Sequence, residues 1–544
     1  MTETTATSRV WPDFPRSSGI LLHPTSFPGP YGVGEIGPMA HEFVDFLADA
    51  QQNLWQVMPL GPTGYGDSPY QSFSAFAGNP MLISFEMLAE QGWLTTTELI
   101  EASAFPRDHV DFGPVIEWRN MMLRKAYARF KAGASPEESG AVAAYASANR
   151  AWLDDFALFM ALKEQFSAAW CDWPADIAGR DPAAVARWRD DLADDIERHI
   201  FYQYEFDRQW TALRAHANEQ GVSIIGDIPI FVAYDSADVW AGRDLFRLDK
   251  KGRPTAVAGV PPDYFSPTGQ LWGNPLYRWN VMRTSGYQWW IDRFEKAFRW
   301  VDIVRLDHFR GFAAYWAVPA REETAIKGKW EPGPGKALFE AVRKALGPLP
   351  IIAEDLGVIT PDVDRLREGQ GFPGMRVLQF AFGTDASNPY LPHNFTADTV
   401  VYTGTHDNDT TSGWFARASE GEQEFVLEYT GVQPQAVPWS MIRLALGSVA
   451  RWAVFPMQDL FALGSEARMN TPGQASGNWS WRMPYIPLDA ITSLQRLSRT
   501  YGRGPRAEEL VQAAKLAAAE GVDVAMGSKS SATPAKVERD EEIF

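Results

Sequence analysis

The sequence predicts a (β/α)8 barrel, an α/β fold of eight parallel strands alternating with helices, with inserted and mainly helical subdomains. Three observations lead to this prediction. Eight short apolar runs recur along the 544 residues, amphipathic helical stretches separate several of them, and most of the runs end in polar or charged residues. Buried parallel strands are dense in aliphatic and β-branched residues, and barrel enzymes carry their chemistry at the carboxyl ends of these strands.

The predicted strands and helices follow one another in the order that a barrel requires. The strands are expected in the runs Gly19–His23, Leu54–Leu60, Val222–Asp227, Asp302–Asp307, Pro350–Glu354, Met375–Phe380, Val400–Gly404 and Trp452–Gln458. The helices include Met39–Gln51, Gly286–Arg299, Gly335–Leu346 and Pro361–Glu368. Repeated strand–helix units of this kind indicate a parallel sheet.

The barrel is predicted to span residues 16–501 and to contain two insertions. Residues 81–219, between the second and third strands, are far more than a crossover needs, and their Ala-rich helical periodicity indicates a helical insertion. Residues 228–283, after the third strand, form a second, loop-rich insertion. Residues 502–544 are predicted to be a C-terminal helix followed by a disordered tail.

Composition and charge exclude several classes of function. The formal net charge of −18 argues against nucleic acid or an anionic membrane as partner. The N-terminus is polar, and no run approaches the roughly 18 apolar residues of a membrane span. Cys171 is the one cysteine, so an intramolecular disulfide is excluded, and no Cys/His spacing predicts a metal site. We therefore expect a cytoplasmic protein without a bound metal.

Three predicted strands end in carboxylates. Asp307 ends the fourth strand, two residues after Arg305, and Glu354 and Asp407 follow two later strands. Residues two apart on a strand point to the same side, and a guanidinium beside a carboxylate favours its ionised form. Taken alone, the Arg305–Asp307 pair is more often a salt bridge that ends a strand than a catalytic group.

The three acids together favour catalysis over a structural role. Glycosidic bond cleavage needs one ionised and one protonated carboxyl group at close range. Glu354, in an otherwise apolar strand and near two other acids, is expected to have a raised pKa. His308 and His406 adjoin Asp307 and Asp407, so two of the three acids lie beside a histidine.

Two loops and one further strand end carry side chains suited to sugar. The Gly61–Tyr70 loop presents Ser68 and Tyr70, which can hydrogen-bond to hydroxyl groups or stack on sugar rings. The Gly259–Gly273 loop carries three aromatic residues that would be costly to expose unless something covers them, Tyr264, Phe265 and Trp272. Asp227 also ends a strand, where a turn and a site are equally good explanations.

One segment imitates a phosphate-binding loop. Gly333-Pro-Gly-Lys336 is followed by Ala337 instead of Ser or Thr, and position 330 is Trp instead of Gly. The pattern therefore fails, and Gly335-Lys336 is predicted to begin a helix.

These motifs together resemble glycoside hydrolase family 77, the disproportionating 4-α-glucanotransferases or amylomaltases. The resemblance spans roughly residues 16–501 and is carried by the motifs Ser18–Ser26, Gly66–Ser72, Gly78–Pro80, Gly259–Tyr277, Arg305–Gly311, Ala353–Gly357, Thr403–Asp409, Ala467–Gly473 and Asn478–Arg482. It implies an enzyme that moves α-1,4-glucan segments from a donor to the 4-hydroxyl of an acceptor, with retention and without a cofactor. Maltooligosaccharides, glucans from starch or glycogen, and glucose as acceptor are the implied substrates.

The resemblance also implies roles for individual residues. Asp307 would be the nucleophile, Glu354 the general acid and base, and Asp407 the stabiliser of the transition state. Further residues would frame the sugar or add contacts to it: Arg305, His308, His406, Tyr70, Asp227, Trp272 and Asn274. Tyr264 and Phe265 resemble the mobile loop that covers bound glucan in the family.

Two alternatives remain at this point. An α-glucan hydrolase of the amylase type would share the three acids and use water as acceptor. A carbohydrate-binding barrel without catalysis belongs to a different class, and the presence of all three acids argues against it.

Overall fold

The computed structural model of the chain describes residues 15–100, 105–262 and 266–504, and twelve strands lie within them. In chain order they are β1 Ser17–Leu21, β2 Leu54–Gln56, β3 Ser223–Pro229, β4 Ala256–Val260, β5 Gln270–Pro275, β6 Ile303–Asp307, β7 Ala314–Pro319, β8 Lys329–Pro332, β9 Ile351–Ala353, β10 Gly374–Val377, β11 Thr399–Tyr402 and β12 Trp452–Pro456. Eight of them form one parallel sheet and four form a separate antiparallel sheet.

The parallel sheet is the predicted eight-stranded barrel. Its strands pair in the order β10, β11, β12, β1, β2, β3, β6, β9. Between β9 and β10 the Ala353 N–H donates to the Pro373 carbonyl at 3.0 Å, so hydrogen bonding continues across the gap. Each of the eight predicted runs contains or overlaps one of these strands. The predicted fold class is confirmed.

The barrel strands are buried because their residues are apolar on both faces. Every residue of β12 is buried, and so are Ile303, Val304 and Leu306 of β6. Parallel strands covered by helices need this double apolar character. Several strands end earlier than predicted, as in β2, which stops at Gln56 and not at Leu60. The residues beyond it form the loop that leads to Tyr70.

The described residues contain twenty α-helices. They are α1 Pro38–Asp49, α2 Phe85–Glu90, α3 Thr96–Ile100, α4 Phe112–Gly133, α5 Pro136–Ala148, α6 Arg150–Phe166, α7 Ala175–Ala178, α8 Pro182–Asp191, α9 Ala193–Glu219, α10 Ala237–Ala241, α11 Trp279–Thr284, α12 Gln288–Trp300, α13 Arg310–Ala313, α14 Lys336–Leu346, α15 Pro361–Gln370, α16 Thr411–Arg417, α17 Glu420–Thr430, α18 Val437–Gly447, α19 Met457–Leu460 and α20 Ile491–Thr500. The four helices predicted by periodicity correspond to α1, α12, α14 and α15.

Helix α14 shows how the segment that resembles a phosphate-binding loop folds. It begins at Lys336, and Gly335 before it has φ 57°, a left-handed conformation that glycine adopts without strain. Gly335-Lys336 therefore begins a helix, as predicted.

Helices α2 to α9 occupy the stretch between β2 and β3, where the sequence indicates a helical insertion at 81–219. The long α9 joins this group to the barrel. Trp210 of α9 is fully buried, and its indole N–H donates to the Trp300 carbonyl at the end of α12 at 2.8 Å. Helix α9 therefore packs against α12 on the outside of the barrel.

A four-stranded antiparallel sheet lies beside the barrel and comes from two separate loops. Its order is β5, β4, β7, β8, so strands that follow β3 pair with strands that follow β6. The segment 228–283, described above as loop-rich, contributes β4 and β5. Sequence analysis does not predict these strands. Strand β4 is short and consists mostly of small residues, and its partner β7 lies far along the chain.

The end of the described chain docks against the start of the barrel. The Arg503 guanidinium is buried and donates to the Ser17 and Ala450 carbonyls at 2.7 and 2.9 Å. The C-terminal helix and tail are predicted for residues 502–544, and residues 505–544 of this range lie outside the described residues. Among the described residues, none of the helices has the length and apolar character needed to cross a membrane.

Candidate active site

Asp307 lies at the carboxyl end of β6, and the buried guanidinium of Arg305 contacts both Asp307 and Asp227. Arg305 Nη1 is 3.0 Å from Asp307 Oδ1 and donates to Asp227 Oδ2 at 2.6 Å. Burial lowers the pKa of Arg305, but the charges of Asp227 and Asp307 outweigh this effect and leave its pKa well above the ordinary value. The guanidinium is therefore a fixed positive charge within ion-pair distance of Asp307, on the same side of β6 as the sequence predicts.

Glu354 follows β9 and is held by two backbone N–H groups. His308 N donates to Glu354 Oε2 at 2.7 Å, and Leu356 N donates to Oε1 at 2.8 Å. His308 has φ 52°, a conformation that residues other than glycine rarely adopt, and in it the N–H reaches Glu354. The backbone immediately after Asp307 thus orients the second acid.

The environment of Glu354 favours its protonated form. Burial raises the pKa of Glu354, and the negative charge of Asp307 raises it further, to about 8. Arg305 and the two backbone donors oppose this shift without cancelling it. Glu354 therefore keeps its proton more readily than an ordinary glutamate, as the sequence predicts.

Asp407 lies in the segment that follows β11, at the same carboxyl edge of the barrel as Asp307 and Glu354. Its side chain is 47% exposed, and the amide of Asn470 donates to its Oδ1 at 2.6 Å. The His406 ring lies beside it, with 3.4 Å between Nε2 and Oδ1.

Tyr70 contacts Asp227 and lies close to Asp307 and Asp407. Its hydroxyl donates to Asp227 Oδ2 at 2.8 Å. Burial raises the pKa of Tyr70, and the charges of Asp227, Asp307 and Asp407 add to the increase. Since Asp307 acts in the same way on Glu354, the acids form one electrostatic cluster at the carboxyl end of the barrel.

Aromatic rings line one side of this cluster. The Tyr70 and His406 rings stack at 5.1 Å with 20° between their planes, and Trp479 lies 5.8 Å from each of them. Sequence analysis did not assign Trp479 to the site. The signal that could have identified it is its place in the Asn478–Arg482 motif.

Trp272, on β5 of the antiparallel sheet, packs its ring edge-on against His308, which follows β6. Their centroids are 4.8 Å apart and their planes meet at 83°. Burial lowers the pKa of His308 to about 4, so the imidazole is neutral. The antiparallel sheet therefore brings Trp272 of β5 against His308, the residue after Asp307, and a sugar-binding role for Trp272 stays a prediction.

Three buried polar atoms in this cluster have no hydrogen-bonding partner within the described ranges: Asp227 Oδ1, His308 Nε2 and His406 Nδ1. Buried polar groups are normally paired.

Other predicted site residues have local structural partners. Asn274 is buried and its amide donates to the Val232 carbonyl at 2.9 Å, and Ser68 Oγ accepts from Tyr70 N at 3.3 Å. Neither contact reaches the three acids. Tyr264 and Phe265 lie outside the described residues, so their position over the glucan stays a prediction.

The arrangement is suited to cleaving a glycosidic bond with retention. One carboxylate beside a fixed cation can attack a sugar carbon as an anion, and a protonated neighbour can donate to the departing oxygen. In enzymes that retain configuration, the two carboxyl groups lie about 5 Å apart, and we expect this separation between Asp307 and Glu354.

Comparison with known proteins points to one family. A family model described as 4-alpha-glucanotransferase matches residues 22–489. The 4-alpha-glucanotransferase of Thermus thermophilus is 53% identical over 480 residues, which cover 87% of this chain and 95% of that protein. The chloroplastic or amyloplastic 4-alpha-glucanotransferase of Solanum tuberosum is 46% identical over 504 residues, with coverages of 90% and 87%. An amylomaltase of Streptococcus agalactiae, solved in complex with acarbose, superposes with a TM-score of 0.88 at 39% identity, with coverages of 90% and 100%.

Proposed function

The chain belongs to the 4-alpha-glucanotransferase family, and on this premise we propose that Asp307 is its nucleophile, Glu354 its general acid and base, and Asp407 the stabiliser of its transition state. The enzyme transfers α-1,4-glucan segments. The assignment of roles rests on a contrast between the two acids. Asp307 lies beside the Arg305 cation, whereas the pKa of Glu354 is raised by burial and by the charge of Asp307.

The first half of the reaction forms a covalent intermediate. An Asp307 oxygen attacks C1 of the donor, the bond from C1 to the glycosidic oxygen breaks, and that oxygen takes the proton of Glu354. The fragment with the reducing end leaves, and the remaining glucan is esterified to Asp307. Arg305 favours the anion that attacks, and the negative charge of Asp407 stabilises the oxocarbenium-like transition state.

The second half restores an α-1,4 bond. Glu354, now ionised, accepts the proton of the acceptor's 4-hydroxyl as that oxygen attacks C1, and the bond to Asp307 breaks. Two inversions give overall retention. Both carboxyl groups end in their starting protonation states, so no further reactant is needed.

The proposed substrates are maltooligosaccharides, α-1,4-glucans derived from starch or glycogen, and glucose as acceptor. The relatives are named for transfer, which favours transfer over hydrolysis by an amylase type of enzyme. Tyr70, His406, Trp479 and Trp272 supply ring faces and edges for sugar, and the unpaired atoms of Asp227, His308 and His406 supply hydrogen bonds. We also propose a cytoplasmic location, although plant relatives are named chloroplastic or amyloplastic.

Incubation with maltotriose tests the function. Transfer should convert maltotriose into glucose and a ladder of longer oligomers, with no net gain of reducing ends, because each transfer breaks one glycosidic bond and forms another. Chromatography of the products, combined with a reducing-end assay, measures both quantities. A steady gain of reducing ends without longer products would identify a hydrolase, and an unchanged substrate would leave only a binding role.

The raised pKa of Glu354 predicts the alkaline limit of activity. The acid form is needed in the first step, so kcat/KM for maltotriose should be constant below the pKa of Glu354 and fall about tenfold per pH unit above it. With that pKa at about 8, the enzyme should remain active through neutral pH. A pH profile measured between pH 5 and 10 checks this. A profile that already falls about tenfold per pH unit from pH 5 upward, as for an ordinary glutamate with a pKa of about 4.3, would contradict the proposed environment.

A further inference from the structure

We propose that Asn470 is a positioning residue for glucan transfer, because its side-chain amide holds the carboxylate of Asp407 in the orientation that the transition state needs. The inference rests on the proposed role of Asp407. It concerns the Ala467–Gly473 motif, to which neither the sequence nor the mechanism above gives a function.

The contact is a short, charge-assisted hydrogen bond. Asn470 Nδ2 donates to Asp407 Oδ1 at 2.6 Å. Within the described ranges, a second side-chain nitrogen, His406 Nε2, lies 3.4 Å from Oδ1 of this carboxylate. An amide fixes one carboxylate oxygen without adding a positive charge. The negative charge of Asp407 thus stays available to a developing oxocarbenium ion, and its second oxygen stays available to the sugar.

The backbone of Asn470 is docked onto the segment that carries Asp407. Asn470 N donates to the His406 carbonyl at 3.1 Å. The Arg468 guanidinium spans both segments, with Nη2 donating to the Asp407 carbonyl at 2.6 Å and Nε to the Asn470 carbonyl at 2.7 Å. The amide is therefore oriented before substrate binds, which is the condition for an effective electrostatic site.

A second asparagine holds the loop together without contacting Asp407. Asn478 Oδ1 accepts from Thr471 N at 2.9 Å, and its Nδ2 donates to the Gln474 carbonyl at 2.9 Å. Asn478 is therefore a matched control: it is the same residue type in the same loop, and among the described residues its side chain hydrogen-bonds to the loop backbone only.

The substitution Asn470→Asp separates positioning from simple loop stability. It keeps the size of the side chain, removes the donor at neutral pH and adds a like charge beside Asp407. We expect kcat on maltotriose at pH 7 to fall roughly 10- to 100-fold, the usual range for a lost hydrogen bond to a charged group, with KM changed less than about threefold. The loss falls on kcat because Asp407 acts in the transition state.

The pH dependence of this variant carries the sharpest prediction. When the introduced carboxyl group is protonated it can donate again, so the activity of Asn470→Asp relative to the parent should rise as pH is lowered from 7 to 5. His406, Arg468 and Tyr70 are the titratable or charged groups around the pair, and they are common to both proteins. Their own titration therefore largely cancels in the ratio.

The control variants decide among the outcomes. Asn478→Asp should show a smaller loss and a ratio independent of pH, and Asn470→Ala should lose kcat at an unchanged melting temperature without recovery at low pH. If Asn470→Asp does not fold, the kcat of Asn470→Ala decides. Parental kcat in the Asn470 variants, or equal and pH-independent losses for Asn470→Asp and Asn478→Asp, would overturn the inference. Asp407→Asn is measured alongside: parental activity there would overturn the role of Asp407 itself, a separate failure.

Discussion

Replacing Asp307 with Asn should reduce glucan transfer on maltotriose by roughly 10⁴- to 10⁶-fold, the scale of loss for a removed nucleophile. The amide cannot form the glycosyl ester, so the first step has no covalent product. It also leaves Arg305 with one carboxylate, Asp227, where the parent has two. Initial rates of glucose release from maltotriose, with parent and variant at equal concentration, measure the effect.

A control at the other end of the barrel separates chemistry from folding. Asp398 precedes β11, is 71% exposed and lies 3.9 Å from Arg451. Asp398→Asn makes the same chemical change away from the proposed site and should keep parental activity. Both variants should give parental circular dichroism spectra. If Asp307→Asn retained more than about a hundredth of parental activity, another group would have to be the nucleophile.

Replacing Glu354 with Gln should lower transfer from maltotriose roughly 10²- to 10⁴-fold, because the proton donor is lost while the shape of the side chain is kept. Glucan affinity should change little. The alkaline limb of the pH profile should disappear as well, since the group whose pKa sets it is gone. Kinetics on maltotriose across pH, with a separate binding measurement, test the three expectations together.

A control substitution at another glutamate and a second donor make this test more specific. Glu368 lies on α15 with its side chain 67% exposed, and Glu368→Gln should behave like the parent. An α-glucosyl fluoride donor has a leaving group that needs little protonation, so its first step should be affected far less by Glu354→Gln than that of maltotriose. Near-parental turnover of maltotriose by Glu354→Gln would show that another group is the acid.

The sequence predicts most of the barrel because strand and helix periods are local. The runs that contain β6 and β9 stand out by their aliphatic residues, and the acids at their ends, Asp307 and Glu354, mark the edge that we propose to be catalytic. The antiparallel sheet and the positions of the loop residues Asn470 and Trp479 depend on contacts between distant parts of the chain. Asn470 meets Asp407 across 63 residues, and Trp479 reaches Tyr70 only after the loop has folded back, so no local pattern predicts either contact.

The electrostatic properties of the site also divide into those that local sequence predicts and those that depend on the folded structure. The pair Arg305 and Asp307 can be placed on one side of a strand from their spacing, and the raised pKa of Glu354 follows from an acid in an apolar strand near other acids. That His308 orients Glu354 through its backbone N–H depends on its left-handed conformation, and that Arg305 also binds Asp227 depends on the register of β3 beside β6. Both are properties of the folded backbone.

The central claim is that glucan transfer passes through a covalent intermediate on Asp307, and trapping that intermediate tests it most directly. Glu354→Gln should react with an α-maltotriosyl fluoride donor and then stall, because no base activates the acceptor. Intact-protein mass spectrometry should show the added mass of one maltotriosyl group, and peptide mapping should place it on Asp307. The double variant Asp307→Asn with Glu354→Gln should gain no mass. An adduct on Asp407 or Asp227, or one that persists in the double variant, would contradict the account.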